Sequence, residues 1–176
     1  MLERASTDAG PLVVIRNGDT LGAETFGLLH LMGAHLAARG NEAQAAHAHL
    51  GEAGRVAALT GERNGLLQHF GPTNVTVWRV AIGVELGHGP AVAERVAREP
   101  VDLDVLASND RIAALEFDLA RSWAQAEGAR DAEAIRHLDT ADRLAPQRIR
   151  NDPIARDLVL TLDRRAPRRV WVLAAT

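Results

Sequence analysis

The sequence predicts an all-α protein built from antiparallel helix pairs, with about seven helices. Of its 176 residues 47% are hydrophobic, but only 3% are aromatic, and Ala, Leu and Val dominate. Such small side chains favour closely packed helices over sheets. Apolar residues also recur at helical spacing, in segments that Gly and Pro turns separate. These two observations together predict the fold class.

The first helix pair is expected to follow an irregular start of the chain. Thr20 can cap a helix over 20–39, and Gly40-Asn41 supplies a left-handed residue that closes it. A second helix spans about 42–59. The residues expected to form the apolar faces are Leu28, Leu29, Met32 and Leu36 on the first helix, and Ala46, Leu50, Ala53, Val56 and Ala57 on the second.

The middle of the chain is predicted to form a third and a fourth helix. The Phe-Gly-Pro-Thr-Asn motif at 70–74 makes a turn, and Thr73 or Asn74 caps a helix over 74–86. A more specific alternative is that Asn74 and the first turn of this helix line a ligand pocket, in which unpaired helix N–H groups bind an anion or a carbonyl. A short fourth helix begins at Pro90, which suits a first helical position.

Three further helices are expected in the last third of the chain. Ser108 caps a fifth helix that reaches Ala126, and a sixth spans about 131–144. Asp152 caps a seventh helix over about 153–165, which a proline opens. The Val-Trp-Val-Leu run near the end of the sequence would continue as helix.

The fifth and sixth helices carry the residue order of a tetratricopeptide repeat, a small residue and then an aromatic, followed by Ala, a large residue, Ala and Pro. The matching residues are Leu119, Ala120, Trp123, Ala134, Leu138, Ala141 and Pro146. The small residues Gly33, Ala81 and Ala120 stand 48 and 39 residues apart, whereas the repeat has about 34. We therefore expect an irregular segment over 1–19 and a degenerate tetratricopeptide-like solenoid over 20–176.

Composition argues against most enzyme classes. The chain has no Cys and no Lys, which excludes cysteine nucleophiles, thiolate metal sites, Schiff-base lysines and Walker-type phosphate loops. Its serines, Ser6, Ser108 and Ser122, do not lie in a nucleophile elbow. We expect a protein that is not an enzyme and that binds no cofactor.

The spacing of the histidines argues against a metal site. His30 and His35 point about 140° apart around a helix, and His47 and His49 about 200° apart. Neither pair can chelate a metal from one helical face, and only pairing across helices stays open. No metal is expected.

Charge and hydropathy bear on partners and location. Residues 143–169 hold eight Arg against three Asp, on a chain of net charge −3. These arginines either pair with the acidic remainder of the fold or dock an acidic partner. No apolar run approaches the roughly 18 residues of a membrane span, and the first residues lack the pattern of a secretion signal. We expect a cytoplasmic protein without a membrane partner.

Three stretches carry a resemblance to a known family: His69–Gly87, Arg111–Gln125 and Arg150–Val159. They resemble the C-terminal region of actinobacterial helix-turn-helix regulators of the Xre type, over most of the chain from about residue 25. In such proteins a DNA-binding head precedes a tetratricopeptide-like body. The resemblance implies transcriptional control, with DNA bound only through a helix-turn-helix domain that is missing here. It also implies a homodimer, as is usual for bacterial regulators.

A ligand groove would be lined by the first helix of each pair. Counting three residues back and one forward from each small residue selects two sets of positions. These are His30, Trp78 and Phe117, and then Ala34, Ile82 and Arg121. With Asn74 and Glu85 nearby, Arg121 could fix a polar group of a small molecule or peptide. The alternative is that the three rings belong to the core.

Two functions follow from this sequence. The first is an effector-sensing or dimerisation domain of a bacterial transcriptional regulator, which binds a small molecule or peptide effector in the helical groove. The alternative is a stand-alone tetratricopeptide-like scaffold that binds peptides or proteins, which is a common role of repeat surfaces.

Overall fold

The computed structural model describes residues 19–166, and this part of the chain is helical without any strand. The expected all-α fold is confirmed. Residues 19–166 form nine helices, which are α1 (Thr20–Arg39), α2 (Ala43–Thr60), α3 (Pro72–Glu85), α4 (Gly89–Arg98), α5 (Leu103–Leu106), α6 (Asn109–Ala124), α7 (Asp131–Leu144), α8 (Pro146–Asn151) and α9 (Pro153–Arg165). The predictions for 1–18 and for the Val-Trp-Val-Leu run at 170–173 lie outside the described residues.

Two of these helices, α5 and α8, were not predicted. A single turn such as α5 shows no apolar periodicity, and the Asp102 carboxylate caps it by accepting a hydrogen bond from the Asp104 amide at 3.1 Å. The six-residue α8 begins at Pro146. In the sequence this proline marks the end of the preceding helix, although proline is equally suited to a first turn.

Two predicted caps are wrong. Asp19, and not Thr20, caps α1, because its carboxylate accepts a hydrogen bond from the Gly22 amide at 2.8 Å. α3 begins at Pro72 and is capped by neither Thr73 nor Asn74. The distant Glu62 carboxylate accepts from the Thr73 amide at 2.8 Å instead, a contact that local sequence cannot reveal.

The predicted caps of α6 and α9 are confirmed. Ser108 accepts from the Arg111 amide at 3.4 Å, and Asp152 accepts from the Ile154 amide at 2.7 Å. α6 ends at Ala124, two residues before the expected end.

The predicted apolar face of α1 is wrong. Met32 is 50% exposed and Leu36 is 54% exposed, and Leu28 and Leu29 are only half-buried. The buried face carries mostly smaller residues, which are Ala23, Phe26, Gly27, Leu31, Ala34 and Ala38. Small residues allow neighbouring helices to approach closely. On α2, by contrast, all five residues predicted to face inward are buried.

The first helices of successive pairs, α1 and α3, run side by side in the same direction. Gly27 faces Phe70, and further along the chain His35 faces Trp78 at the same sequence separation. A Cβ at position 27 would come within 2.0 Å of the Phe70 ring, so only glycine fits there. This close contact sets the distance between α1 and the start of α3.

Similar separations recur along the stack. Hydrogen bonds join Glu24 to Arg63, Gln68 to Arg111, Glu85 to Arg121 and Ala124 to Arg165, over 39, 43, 36 and 41 residues. The helix pairs therefore stack with a repeat that is longer than the roughly 34 residues of a tetratricopeptide unit. The arrangement is solenoid-like, as expected.

α3 divides the interior into two apolar clusters. Val75 and Ile82 belong to a cluster with α1, α2 and Phe70. Val77 and Val80 belong to a second cluster, which α4 to α9 complete. Because α3 buries side chains in both clusters, it joins the two halves of the described fold.

Candidate ligand-binding face

The six predicted site residues are not equally accessible. Asn74 is 0% exposed, and His30 and Phe117 are also buried. Trp78 is half-buried. The side chains of Glu85 and Arg121 are 20% and 18% exposed. Glu85 and Arg121 are therefore the charged members of this set that a ligand can reach.

The structure brings Glu85, Phe117 and Arg121 together where α3 meets α6. The Arg121 guanidinium donates to Glu85 Oε1 at 2.7 Å and to Asp118 Oδ1 at 3.0 Å. Its Cζ lies 5.9 Å from the centre of the Phe117 ring. Arg121 thus bridges carboxylates of two helices. Asp118, which the sequence did not single out, completes this group.

Asp118 is held in an unusual electrostatic environment. Burial raises its pKa from the ordinary 3.8 to about 6, and the adjacent Arg121 only partly opposes this shift. Desolvation disfavours a carboxylate more strongly than one shared guanidinium stabilises it. Asp118 therefore changes its charge in the mildly acidic range. The helical spacing of Asp118 and Arg121 is visible in the sequence, but the burial is not.

His35 and Trp78 form a second part of this face. Their rings meet nearly edge-on, with centroids 5.8 Å apart. Trp78 Nε1 and His35 Nδ1 are buried and have no hydrogen-bond partner among residues 19–166. Burial lowers the pKa of His35, and Glu85 opposes that shift while Arg39 and Arg121 add to it. His35 therefore shares its electrostatic environment with the Arg121 group, although the sequence did not identify it as a site residue.

His30 lies elsewhere, in the seam between α1 and α2. Its Nδ1 is 2.9 Å from His49 Nδ1, so one ring donates and the other accepts. Its ring also packs against Phe26, with centroids 4.5 Å apart. Gly33 leaves room for the His49 ring, which a Cβ there would approach to 3.2 Å. Two histidines of different helices are thus paired, which their spacing along the sequence had left possible. This pair lies away from Trp78.

The histidine pair does not form a metal site with other side chains. Among the described residues, no group of three or more His, Asp or Glu side chains is arranged to hold a metal ion. Burial lowers the pKa of His30, and the nearby His49 lowers it further. A neutral His30 ring is consistent with both effects.

Asn74 acts on the chain that precedes α3. Its Nδ2 donates to the Gln68 carbonyl at 3.2 Å, while its Oδ1 is buried and has no partner in the described part of the chain. Because the side chain is fully buried, a ligand in solvent cannot reach it without moving α3. The contact observed is a structural one.

Arg121 also opens onto a cleft between α6 and α9. This cleft encloses about 570 Å³ and is lined by residues that include Val84, Gln125, Ile154, Leu158 and Arg165. Its volume falls within the range of small-molecule sites, about 300–1,000 Å³. The arrangement offers a guanidinium at the wall of a cleft that is partly apolar. The guanidinium can pair with the carboxylate of a ligand that has an apolar body, whereas Glu127 and Asp157 in the same lining repel such a carboxylate.

Comparison with known proteins adds no relative: the chain matches no protein-family model, no curated protein sequence and no solved structure. The resemblance to Xre-type regulators stays a prediction. None of the described helices combines the length and the hydropathy needed to cross a bilayer.

Proposed function

We propose that this chain is the effector-sensing or dimerising domain of a bacterial transcriptional regulator and acts in the cytoplasm as a homodimer. Its effector is a small molecule or peptide that carries a carboxylate and binds at the cleft beside Arg121. DNA would be bound by a helix-turn-helix domain outside this sequence. The chain itself would carry out no chemical reaction.

The position of Arg121 is the observation that carries this proposal. It lines the α6–α9 cleft, and at the same time its guanidinium links α3 to α6 through Glu85 at 2.7 Å. An arginine pairs well with carboxylates, often through two hydrogen bonds. A ligand carboxylate can therefore compete with Glu85 for the same guanidinium.

Such competition would couple binding to the shape of the stack. If the ligand takes Arg121, then α3 and α6 lose an ion pair that stabilises their present arrangement. The angle between successive helix pairs can then change, and with it the position of an attached domain. A ligand shifts an equilibrium only by its different affinity for the two states, and here that difference comes from the exchange of Glu85 for the ligand.

A stand-alone scaffold is the second candidate, and the exposed apolar face of α1 favours it. Leu21, Met32 and Leu36 are 49%, 50% and 54% exposed. They lie on one side of the helix, because their spacing follows the helical repeat. A protein partner could bury this face without using Arg121.

Thermal stability against a panel of carboxylic acids and short peptides tests the first proposal. We expect at least one member to raise the melting temperature of the wild type but not of Arg121→Gln. Arg143→Gln is the matched control, because it removes an ion pair with Asp139 at an exposed position, with side chains 67% and 63% exposed. No shift for any member would contradict the ligand site.

A DNA gel shift with this chain alone separates the assignment of DNA binding from that of the ligand. We expect no retarded band. Sequence-specific retardation would show that the chain itself binds DNA, whatever the result with the ligand panel.

A further inference from the structure

A pocket lies between α3, α4 and the segment that joins α4 to α5. It encloses about 290 Å³, close to the lower end of the range of small-molecule sites. Its apolar wall is formed by Val80, Val92, Val96 and Val101. Arg79 of α3 and Arg95 of α4 also line it. The pocket shares no lining residue with the cleft beside Arg121 and is therefore a separate candidate site.

Arg79 is a half-buried arginine without a partner. In the described part of the chain its guanidinium makes no ion pair and no hydrogen bond. The other half-buried arginines do have partners, since Arg111 donates to Gln68 Oε1 at 3.2 Å and Arg121 pairs with two carboxylates. A partly desolvated charge without a counter-ion is unfavourable. A bound anion would supply the missing counter-ion.

Arg95 adds to this imbalance of charge. Burial and the nearby Arg95 lower the pKa of Arg79, and neither carboxylate of the pocket opposes that shift. Those carboxylates, Glu99 and Asp102, are at exposed positions, where water screens their charge. The Asp102 carboxylate also accepts from the Asp104 amide at 3.1 Å, as the cap of α5. The wall around Arg79 is thus positively charged.

A phosphate group matches these arginines better than a carboxylate does. Arginine donates to phosphate through two parallel hydrogen bonds. A phosphate monoester carries about −1.5 to −2 charges at pH 7, so it can offset two guanidiniums that repel each other. The start of α3 is already occupied by a carboxylate, since Glu62 accepts from the Thr73 amide at 2.8 Å. The anion would therefore contact the two arginines and not the helix terminus.

We propose that the pocket between α3 and α4 binds the phosphate group of a small molecule, with the guanidiniums of Arg79 and Arg95 as its main contacts. The apolar wall then contacts the remainder of the molecule. Because the two arginines belong to different helices, the bound phosphate links α3 to α4. This site does not depend on the proposed carboxylate site at Arg121.

Isothermal titration calorimetry in a phosphate-free buffer of constant ionic strength tests the site, with phenyl phosphate as the first probe. We expect saturable binding with a dissociation constant in the millimolar range or below. Arg79→Gln should weaken this binding by about tenfold or more, because it removes a charge-assisted contact. Glu99→Gln should strengthen it by about twofold, because it removes a carboxylate that repels the anion.

Two variants serve as controls for this titration. Arg98 also lies on α4, but its side chain is 75% exposed and does not line the pocket. Arg98→Gln should change phenyl phosphate binding by less than about twofold. Arg121→Gln should also leave it unchanged, which separates this site from the proposed carboxylate site. The proposal is overturned if the wild type shows no saturable binding, or if either control weakens binding as much as Arg79→Gln.

Two further probes identify the chemical group. Tighter binding of phenyl phosphate than of inorganic phosphate would assign an organic phosphate that contacts the apolar wall. Equal binding of the two would assign free phosphate, and either result supports a phosphate site at Arg79. If Arg79→Gln weakened the binding of benzoate as strongly as that of phenyl phosphate, the site would not be selective for phosphate and the assignment would be wrong.

Thermal unfolding separates ligand binding from a structural role of Arg79. Without phosphate, Arg79→Gln should melt at the wild-type temperature or above, because it removes an unpaired and partly desolvated charge. Phenyl phosphate should raise the melting temperature of the wild type and not that of the variant. A variant that is less stable than the wild type without phosphate, and is stabilised by phenyl phosphate to the same extent, would show that Arg79 supports the fold and not a ligand.

Discussion

The two apolar clusters on either side of α3 bury different kinds of side chain. The cluster with α1 and α2 is accompanied by buried Glu24, His30 and Asn74, which are 1%, 8% and 0% exposed. Beside the cluster of α4 to α9, Ser122 is fully buried and the Asp118 side chain is 15% exposed, while Phe117 and Trp123 contribute large rings. The first cluster thus buries more polar groups, although it also buries two rings, Phe26 and Phe70.

This difference predicts two kinds of sensitivity. A buried polar group destabilises a protein once its partner is lost, because its desolvation is no longer offset. A buried ring destabilises it when truncation leaves a cavity. Since α3 contributes to both clusters, a substitution that destabilises one half should also destabilise the other.

The largest effect is expected from Trp123→Ala. Trp123 is 6% exposed, and truncation of such a residue costs about 3–5 kcal/mol of the free energy of unfolding. In a Trp171→Phe background, which leaves Trp78 as the one tryptophan of the Trp123→Ala variant, urea titrations followed by circular dichroism and by fluorescence should coincide, because α3 couples the halves. Separate transitions would contradict that coupling. Leu59→Ala, at an exposed position, should stay within about 0.5 kcal/mol of the wild type.

A comparison of two carboxylates sharpens the contrast between the halves. Glu24 is 1% exposed and accepts from Arg63 Nε at 2.8 Å and from the Gly65 amide at 3.0 Å. Glu24→Gln should cost about 1–3 kcal/mol, because the buried Glu24 loses its charge-assisted hydrogen bonds, although the Arg63 side chain is 39% exposed. Glu85→Gln, whose side chain is 20% exposed, should cost about 1 kcal/mol or less. If both variants lost the same free energy of unfolding in chemical denaturation, the buried and the partly exposed carboxylate would not differ as expected.

The stability of the two halves should also depend on pH with opposite signs. Asp118, on α6, determines the pH dependence of the second half. Its pKa in the folded state, about 6, is above the ordinary 3.8. The native state therefore holds the proton more tightly, so that stability falls as the pH rises from about 4 to about 6. Asp118→Asn should remove this fall and be more stable than the wild type at pH 7, by at most about 3 kcal/mol.

His35 governs the opposite response. Its pKa is lowered in the folded state by burial, so the native state favours the neutral ring and stability is lost as the pH falls below the ordinary 6.5. His35→Gln should reduce this loss, and His30, whose pKa burial also lowers, should account for the remainder. Melting temperatures between pH 4 and 8 give both slopes, and variants that follow the wild-type profile throughout would show that other groups set it.

The smallest effects are expected at the helix caps. The Asp19 carboxylate accepts from the Gly22 amide at 2.8 Å, whereas the Ser108 hydroxyl accepts from the Arg111 amide at 3.4 Å. Asp19→Ala should cost about 1 kcal/mol and Ser108→Ala about 0.5 kcal/mol, because the longer hydrogen bond is weaker. Thermal unfolding of the two variants gives the comparison, and a larger loss for Ser108→Ala would reverse the ranking.

Local sequence signals were sufficient for the long helices. The bounds of α1 and α7 follow from periodicity and turn residues to within a few positions, and those of α9 also from its cap and first-turn proline. The inward face of α2 could also be predicted, because this helix has only one apolar side. The same reasoning failed for α1, which has apolar residues on two sides, and only its neighbours decide which side is buried.

The candidate site was predicted only in part. Arg121 lies against Phe117 and Glu85, of which Glu85 was expected nearby without being one of the counted repeat positions. His30 does not join them, because His49 of the next helix takes it as a partner. His35 was missed, since its role depends on Trp78, more than forty residues further along the chain.

The sequence by itself determined that this chain forms helices, where most of them begin and end, and that its 176 residues offer no cysteine or lysine side chain. These properties depend on neighbours within a few positions along the chain. The tertiary structure alone decided which face of α1 is buried, which carboxylate caps α3, and that Arg121 lies between Glu85 and Asp118. Those outcomes depend on contacts between distant residues, such as the hydrogen bond that Arg121 donates to Glu85, 36 residues earlier in the chain. No pattern among neighbouring residues predicts such a contact.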